Sequence, residues 1–492
     1  MVPLTGLFRA FWARGGAQSA LGAAAASATV PQAEQPVAGS TTPPPTVSPQ
    51  MPTGPASSGA PGSGNAAGAR GKRRPRWLVW LSLLGPGIVA TAAGNDAGGI
   101  LTYIQAGAQF HFAFLWAIVL ITVSYYVVQE MCARMGAVTG KGLADLIREN
   151  YGVKVTMFAM IVQLVANLAT TVTEFAGVSA ACRVFGLSDP LTRYVAMPVT
   201  MALAFFLIAG NSYARVERVF LLMSALLLAY VVAAFKLHPD WFEVASSIAH
   251  PDILGEAHRG GAAYVTMLVA LIGTTIAPYQ QFYLQSAIRD KGVQMKEYAA
   301  TRFDVLFGCV SSNVISVFIV IACGMTLYAA GQRGITDVEQ ASRVLEPLVG
   351  ATIARGLFGI GLFGASILAA VVVPLTTAYA VTESLGWETG IGRRVRETPL
   401  FYATYGIMVA IGGALLMIPN WNLVKLIIQA QVLNGTLLPV ELVLMIFLCS
   451  KRWLMGRYRN SGVFNAVAWV TISVVIILAV LNVVLTFLGG GS

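Results

Sequence analysis

The sequence predicts an all-α membrane protein that crosses the bilayer many times. Apolar residues make up 56% of the 492 positions and charged residues only 11%, whereas a soluble chain carries roughly 25% charged residues. Apolar stretches recur along the chain, and each is long enough to cross about 30 Å of hydrocarbon. Such a chain cannot cover a water-facing surface with polar side chains, so lipid must be its solvent.

Eleven apolar stretches follow one another from Trp77 onward. They lie near 77–106, 112–134, 153–182, 191–210, 216–236, 262–288, 303–328, 351–382, 400–418, 423–449 and 463–488. Each predicts one membrane-spanning helix, so we expect a transmembrane domain over residues 77–492.

The N-terminal segment has a different composition. Its first 70 residues are rich in Ala, Gly, Pro, Ser and Thr and contain almost no large aliphatic side chains after Leu21. Such a segment cannot bury enough apolar surface to offset the entropy of ordering. We therefore expect residues 1–76 to form a disordered cytoplasmic tail, and its alanine run is too weakly apolar for a cleaved signal peptide.

The basic residues predict the orientation of the chain. They are concentrated before the first span, within 70–76, and in every second loop after it, around 134–154, 215–218, 289–302, 393–396 and 451–459. Short loops rich in Lys and Arg stay in the cytoplasm. This places the N-terminus inside, the C-terminus outside after eleven crossings, and the protein in the inner (plasma) membrane. The net charge of +10 is thus a sign of membrane orientation, and we expect no nucleic-acid partner.

Histidine and cysteine have no obvious role in a metal cluster. His111, His238, His250 and His258 are all predicted in outside loops, and the five cysteines fall within or beside apolar segments without a CxxC pair. We expect buried thiols, with neither a disulfide framework nor a zinc site.

The first span carries an unusual centre. Glycines at Gly94, Gly98 and Gly99 surround the carboxylate of Asp96. Glycine loosens a helix, and a carboxylate in the bilayer is costly unless a cation or water meets it. A packing seam from Gly94 to Gly98 is the alternative, but a seam does not need an ionisable group, so we expect Asp96 to be functional.

The sixth span is also interrupted. Pro278 removes a backbone donor and frees carbonyls one turn earlier, around Thr274. An offset of five spans reverses the orientation of a helix, so the broken first and sixth spans predict two inverted five-helix repeats, at about 77–236 and 262–449, followed by an extra helix at 463–488. Paired broken helices of this kind indicate a transport site near the midplane.

Three other acids lie in apolar stretches, and their roles stay open. Glu174 is in the third span, Asp304 at the inner end of the seventh and Glu441 in the tenth, just after Pro439. Each is either a proton relay, a helper acid at the site or a structural hydrogen-bonding group.

Short motifs over about 85–460 resemble one known family. They are GPG at 85–87, QAGA at 105–108, CARMGAVTGKGLADL at 132–146, RVERVFLL at 215–222, TDVEQASRVLEPLVG at 336–350 and SKRWLMGRYRN at 450–460. In this order and spacing the chain resembles the natural resistance-associated macrophage protein (NRAMP) family of divalent metal transporters. The resemblance implies a LeuT-like inverted repeat of 5+5 transmembrane helices plus an eleventh helix.

The resemblance also implies a set of metal ligands. These are the Asp96 carboxylate, the carbonyls of Ala93 and Thr274, and Gln431 in the tenth span. The family's first-helix motif Asp-Pro-Gly-Asn has become Asp96-Ala97-Gly98-Gly99, and its sixth-helix Met-Pro-His has become Ala277-Pro278-Tyr279. Gly99, Ala277 and Tyr279 therefore line the implied site as substituted ligand positions.

These substitutions bear on protons and cargo. The family's third-helix Asp and Glu correspond to Thr171 and Glu174, and Tyr279 with an ordinary pKa near 10 is a poor proton carrier. We therefore expect weak or absent proton coupling. Ala277 lacks the thioether of the family's methionine, and a wide site with hard oxygens suits partly hydrated Mg²⁺, with Mn²⁺ also accepted. In this respect the chain resembles the family's magnesium-transporting branch.

Other functions remain as alternatives. A proton-coupled Mn²⁺/Fe²⁺ transporter is one, and a sodium-coupled amino-acid carrier of the same fold is another, although Asp96 would repel a substrate carboxylate. An intramembrane enzyme is not expected, because Asp96 has no partner aspartate on a comparable motif and no HExxH or serine dyad pattern is present. We expect a monomer in the lipid bilayer that transports divalent metal ions and holds no cofactor.

Overall fold

The computed structural model describes residues 94–210, 220, 222–223, 225–388, 390 and 395–489. The predicted tail, Ala93 and the first part of the first span lie outside these residues. Within them the chain is helical and contains no strand. The helices, in chain order, are α1 (Ala97–Phe110), α2 (Leu115–Thr139), α3 (Leu143–Val184), α4 (Asp189–Ala209), α5 (Ala225–Lys236), α6 (Trp241–Ala249), α7 (Ile253–Thr275), α8 (Pro278–Asp290), α9 (Tyr298–Tyr328), α10 (Val338–Ser342), α11 (Glu346–Val349), α12 (Ala351–Leu385), α13 (Pro399–Leu415), α14 (Leu423–Ser450), α15 (Arg452–Met455) and α16 (Gly462–Gly489). Among them α6, α10, α11 and α15 are short.

Eight segments of the described chain are long and apolar enough to cross a membrane: α2, α3, α4, the α7–α8 pair, α9, α12, α14 and α16. The described part of the predicted fifth span, α5, turns by 109° into α6. Helix α13 is apolar but shorter, and α1 is the second part of the predicted first span. A helical segment therefore lies at each predicted span, while the count of eleven crossings stays a prediction.

Several helix boundaries differ from the predicted ones. Helix α3 begins ten residues before the predicted start at 153, and the two parts join at a kink where Gly152 has φ 74°. Apolar periodicity cannot detect the polar turns that precede this kink. His258, predicted in a loop, instead lies in the first turns of α7, before a second kink at Gly261 with φ 53°.

The helices pack so that the start of α1 is enclosed. Helices α3 and α12 run against each other along much of their length, and α14 packs between α3 and α7. Helix α1 contacts α3, α7, α9, α12 and α14. The first turn of α1 is therefore surrounded by protein rather than by lipid.

Glycines bring α7 and α14 into backbone contact. A Cβ on Gly273 would overlap the carbonyl oxygen of Gln431, and a Cβ on Gly435 would overlap the carbonyl oxygen of Val269. Such close approach is possible only where no side chain intervenes. The contact holds Gln431 beside the C-terminal end of α7.

Two of the sequence motifs meet in the structure. Arg134, in the motif at 132–146, donates to the carbonyl oxygen of Tyr458 at 3.0 Å, in the motif at 450–460. The same guanidinium pairs with Glu130 at 3.1 Å, and this carboxylate accepts from Tyr298. The motifs thus join the end of α2 to the loop before α16. All five cysteines are buried and free.

Candidate metal site

Asp96 lies at the point where α1 begins. It is the N-cap residue, with an extended backbone (φ −78°, ψ −175°), and its Oδ1 accepts from the backbone N–H of Gly99 at 2.7 Å. Aspartate favours this position because its oxygen satisfies a free amide and its charge faces the positive end of the helix dipole. The side chain is 2% exposed, so a carboxylate is fixed inside the protein by backbone donors.

The predicted break in the sixth span is confirmed. Helix α7 ends at Thr275 and α8 begins at Pro278, with Ile276 and Ala277 between them in non-helical conformations. Proline suits the first position of α8 because its missing N–H would have no helical partner there. The last carbonyls of α7 have no intrahelical partner either, so the break presents free oxygens inside the protein.

Thr274 and Tyr279 lie on the two sides of this break and reach the start of α1. The Thr274 hydroxyl, buried and without a hydrogen-bond partner, is 3.5 Å from where a Cβ on Gly99 would be. The Tyr279 hydroxyl donates to Asp96 Oδ2 at 3.4 Å. Tyr279, predicted as a lining residue, therefore contacts the central carboxylate directly.

Gln431 approaches the same turn from α14. A Cβ on Gly98 would overlap Gln431 Nε2, and it would lie 3.1 Å from Asp96 Oδ1. The amide and the carboxylate are thus close neighbours across Gly98. Gln431 Oε1 accepts from Asn434 at 3.1 Å, while its Nε2 has no partner.

A second carboxylate reaches α1 from α3. Glu174 Oε2 accepts from the backbone N–H of Ala97 at 3.2 Å, and its Oε1 accepts from the Thr173 hydroxyl at 3.2 Å. Glu174 is completely buried. Asp96 and Glu174 therefore both bond to amides of the first turn of α1, and the structure brings the predicted third-span acid to the site.

The remaining predicted residues fall in different places. Ala277 is buried at the break, where its carbonyl accepts from the backbone of Gln280 at 3.1 Å. Glu441 is on α14 ten residues after Gln431, which is about 15 Å along a helix, and both of its buried oxygens lack a partner. Gln431 is the residue of α14 that lies beside Asp96, and Glu441 is too far along the same helix to reach it. The structure therefore does not bring Glu441 to Asp96.

Sequence reasoning missed two polar residues at the site. Asn434 lies three positions after Gln431 and therefore on the same face of α14. This spacing is a signal in the sequence from which Asn434 could have been identified. Ser366, on α12, has a buried hydroxyl without a partner, and a Cβ on Gly177 would overlap both this hydroxyl and the Cβ of Ala97. Nothing in the apolar sequence around Ser366 marks it.

The chemistry of the site is that of hard oxygen donors. In the described ranges, no group of three or more His, Cys, Asp and Glu side chains is arranged so that it could hold a metal ion. A cation at Asp96 would instead meet a carboxylate, hydroxyls, backbone carbonyls and a carboxamide. Oxygen ligands of this kind bind Mg²⁺, Ca²⁺ and Mn²⁺.

Known proteins with similar sequences share most of the chain's length. The chain is 25% identical over 411 residues to a divalent metal cation transporter MntH of Ralstonia nicotianae, covering 82% of this chain and 90% of that protein. It is 26% identical over 409 residues to an MntH of Klebsiella pneumoniae, covering 81% and 92%.

Solved structures show the same fold. A manganese transporter of Eremococcus coleocola superposes with a TM-score of 0.68 at 20% identity, covering 85% of this chain and 90% of that one. MhsT in complex with L-phenylalanine superposes with a TM-score of 0.53 at 14% identity, covering 82% and 98%. These similarities confirm the predicted LeuT-like fold. The model of the natural resistance-associated macrophage protein-like family matches residues 87–485, and the chain belongs to that family.

Proposed function

We propose that this protein is a transporter that carries divalent metal cations across the membrane by alternating access, with Asp96 as the charged ligand. The main support for this proposal is the buried carboxylate of Asp96 at the start of α1, which faces the break between α7 and α8. A charge in this position needs a compensating partner, and a cation supplies it. The MntH relatives are named divalent metal cation transporters, which supports the same class of cargo.

The other ligands are oxygens from the broken helices and α14. The Thr274 carbonyl lies in the last turn of α7, where helix carbonyls lack partners. Gln431 supplies a carboxamide, and the carbonyl of Ala93, outside the described residues, completes the predicted set. Gly99 and Ala277 contribute no side-chain ligand, so we propose that water molecules that stay on the ion complete its coordination.

We propose Mg²⁺ as the favoured cargo, with Mn²⁺ also accepted. The ligand types around Asp96 are hard oxygens, and Ala277 provides no sulfur that would discriminate in favour of softer ions. A proton-coupled Mn²⁺/Fe²⁺ transporter is the alternative, and the name of the Eremococcus coleocola manganese transporter is in line with manganese as a cargo. The two proposals predict different results in a competition experiment. Millimolar Mg²⁺ should reduce Mn²⁺ uptake by a magnesium transporter and should leave it unchanged for a Mn²⁺/Fe²⁺ transporter.

Transport is proposed to be weakly coupled to protons or uncoupled. Thr171 is not acidic. Its hydroxyl donates to the carbonyl oxygen of Asn167 within α3 at 2.7 Å, and its methyl group packs against Gly412. The membrane potential alone drives a dication by about 4.6 kcal/mol per 100 mV.

An amino-acid carrier of the same fold is the second candidate function, because MhsT, which shares this fold, is solved with L-phenylalanine bound. Carriers of that kind hold a substrate carboxylate at the free amides of a broken helix. Here the amides of Ala97 and Gly99 are already bonded to Glu174 and Asp96. The carboxylates of Glu174 and Asp96 in this position would repel the carboxylate of an amino-acid substrate.

The proposed orientation has the N-terminus in the cytoplasm and the C-terminus outside the inner membrane, with a monomer as the working unit. Single cysteines placed near residue 72 and at Ser492 test it with an impermeant thiol reagent on intact cells. The expected result is labelling of the C-terminal cysteine alone, and labelling of both would overturn the eleven-crossing topology.

Uptake by proteoliposomes tests the proposed function. Wild-type protein should take up Mn²⁺ and Mg²⁺, and Asp96→Asn should abolish both. Asp240→Asn is the matched control, because Asp240 is also a helix N-cap but exposed, accepting from Phe242 N–H at 2.9 Å. Saturable amino-acid uptake without metal uptake would instead support the second candidate.

A further inference from the structure

Gln431 and Asn434 form a pair of buried amides on one face of α14. They are 1% and 0% exposed. Asn434 Nδ2 donates to Gln431 Oε1 at 3.1 Å and to the Thr170 hydroxyl of α3 at 2.9 Å. Asn434 thus holds the Gln431 carboxamide from the side away from Gly98.

Each amide of the pair also has one atom without a partner. These atoms are Gln431 Nε2, on the Gly98 side next to Asp96, and Asn434 Oδ1. A buried amide that lacks a partner is unfavourable, so packing alone does not explain this arrangement. The unpartnered end of Gln431 is the end that faces the candidate metal site.

The pair has a second arrangement with the same heavy-atom contacts. If both carboxamides turn by half a rotation, Gln431 Nε2 donates to Asn434 Oδ1. The Thr170 hydroxyl, which in this structure donates to the carbonyl oxygen of Ala166 at 3.0 Å, then turns its hydrogen to the same Asn434 oxygen. A hydroxyl can act as donor or acceptor, and an amide oxygen and nitrogen have nearly the same size. In this arrangement Gln431 Oε1 faces Asp96, where a hard cation needs an oxygen ligand.

We infer that Asn434 is a positioning residue that selects which end of the Gln431 carboxamide faces the cation. In the arrangement of this structure an N–H₂ group faces Asp96, and when a divalent cation binds, the two amides reverse together to present an oxygen. Asn434 does not touch the cation and acts only through Gln431. The inference rests on the proposed function, because it assigns a role at the same site.

Mn²⁺ uptake kinetics in proteoliposomes test this role with a double-mutant cycle. Asn434→Leu keeps the side-chain shape and removes both hydrogen-bonding groups, so KM should rise roughly ten-fold, as for other residues that orient metal ligands, with a smaller change in the maximal rate. Gln431→Leu should raise KM at least as much. The double variant should match Gln431→Leu alone, because Asn434 has then nothing to orient.

Two further variants separate positioning from folding. Asn434→Asp accepts from Gln431 Nε2 and so keeps the oxygen facing Asp96, and its KM should stay near wild type. Asn167→Leu is the matched control, since Asn167 is a buried asparagine of α3 that donates to Thr377 at 2.8 Å, and it should leave KM unchanged.

Opposite outcomes are equally clear. KM increases that multiply in the double variant, or an Asn434→Leu effect on the maximal rate alone, would overturn the inference. An unchanged KM in Gln431→Leu would also overturn it, while loss of uptake in Asp96→Asn would still support the proposed function. Wild-type protein that takes up no divalent cation would overturn both.

Discussion

The backbone N–H of Ala97 donates to the carboxylate of Glu174 at 3.2 Å, across 77 positions of sequence. Glu174 therefore caps the first turn of α1 from a neighbouring helix, next to the cap that Asp96 makes with Gly99. This contact gives Glu174 a role at the site that does not require it to carry a proton. Its structural and proton-related roles are separable, because a neutral amide can also accept from Ala97.

Substitution of Glu174 separates the two roles. Glu174→Gln keeps an acceptor for the Ala97 N–H, so Mn²⁺ uptake should stay within about three-fold of wild type, which is less than the effect of a lost charged hydrogen bond. Glu174→Ala leaves a buried N–H unsatisfied, at a cost of about 1–3 kcal/mol, and uptake should fall roughly ten-fold or more. Uptake and internal pH are recorded together in proteoliposomes.

The pH trace decides the coupling. Wild-type uptake without internal acidification is the expected result. Acidification that follows metal uptake in wild type and disappears in Glu174→Gln would show that Glu174 alone suffices as a proton relay, against the uncoupled mechanism.

Gly98 should tolerate no side chain. A Cβ there would overlap Gln431 Nε2, so Gly98→Ala must displace the carboxamide from its place beside Asp96. We expect at least a ten-fold loss of divalent cation uptake, about 1.4 kcal/mol or more, measured at matched protein amounts in the membrane.

A glycine-to-alanine change elsewhere provides the control. Gly356 lies in α12, and nothing lies within 4 Å of a Cβ placed on it, so Gly356→Ala should transport normally. Normal uptake by Gly98→Ala would mean that Gln431 can move away without loss and is not a ligand.

A largely buried ion pair lies near the end of α8 that is predicted to face the cytoplasm. Arg289 of α8 pairs with Glu383 of α12, which also accepts from Ser286 at 3.1 Å. Arg289 keeps Asp290 at 2.9 Å and Asp145 at 3.8 Å as partners, so we expect Glu383→Gln to weaken the contact between α8 and α12 and to favour opening at this end. A cysteine at Gln285, which is buried here, should then react faster with a thiol reagent.

The native cysteines set the background of that experiment, and all five are buried. Lys141→Gln is the control, because its pair with Glu149 at 2.6 Å is exposed and such pairs contribute little. Equal labelling rates with and without Glu383→Gln would show that this pair does not hold the end closed.

The sequence could predict those parts of the site that break local rules. Asp96 in an apolar stretch, and Pro278 within a helix, are conspicuous without any knowledge of packing, and each lies at the start of a helix in the structure. The Tyr279–Asp96 contact and the approach of Gln431 to Gly98 depend on which helix faces meet. Periodicity does not give that information for helices that are apolar on nearly every side.

The same limit explains why Glu174 and Glu441 could not be ranked from sequence. Both are acids in apolar spans, but only Glu174 lies level with the start of α1. The level of a residue within the bundle depends on helix kinks such as the one at Gly152, which hydrophobic patterns do not show.

The last prediction concerns selectivity, and the structure identifies the position to change. Restoring the family's asparagine at Gly99 would place a Cβ 2.9 Å from the carbonyl oxygen of Gly94, so the backbone before α1 would have to shift. Ala277 instead has extended backbone dihedral angles (φ −69°, ψ 137°) that a longer side chain can adopt without backbone strain. Ala277→Met is therefore the cleaner variant for adding one soft ligand.

A methionine at Ala277 should favour Mn²⁺ over Mg²⁺. The thioether suits the softer ion, whereas Mg²⁺ gains little from sulfur and loses space for the water that it keeps. One such contact is worth about 1.4 kcal/mol, or about ten-fold in the ratio of affinities. The measurement is the Mg²⁺ concentration that halves Mn²⁺ uptake, which should rise by that factor in the variant, while Ala277→Leu, similar in size but without sulfur, should reduce the uptake of both ions alike. Wild-type uptake of Mn²⁺ that already ignores millimolar Mg²⁺ would contradict the hydrated-ion mechanism, because a site built from hard oxygens alone has no means of excluding the more abundant ion.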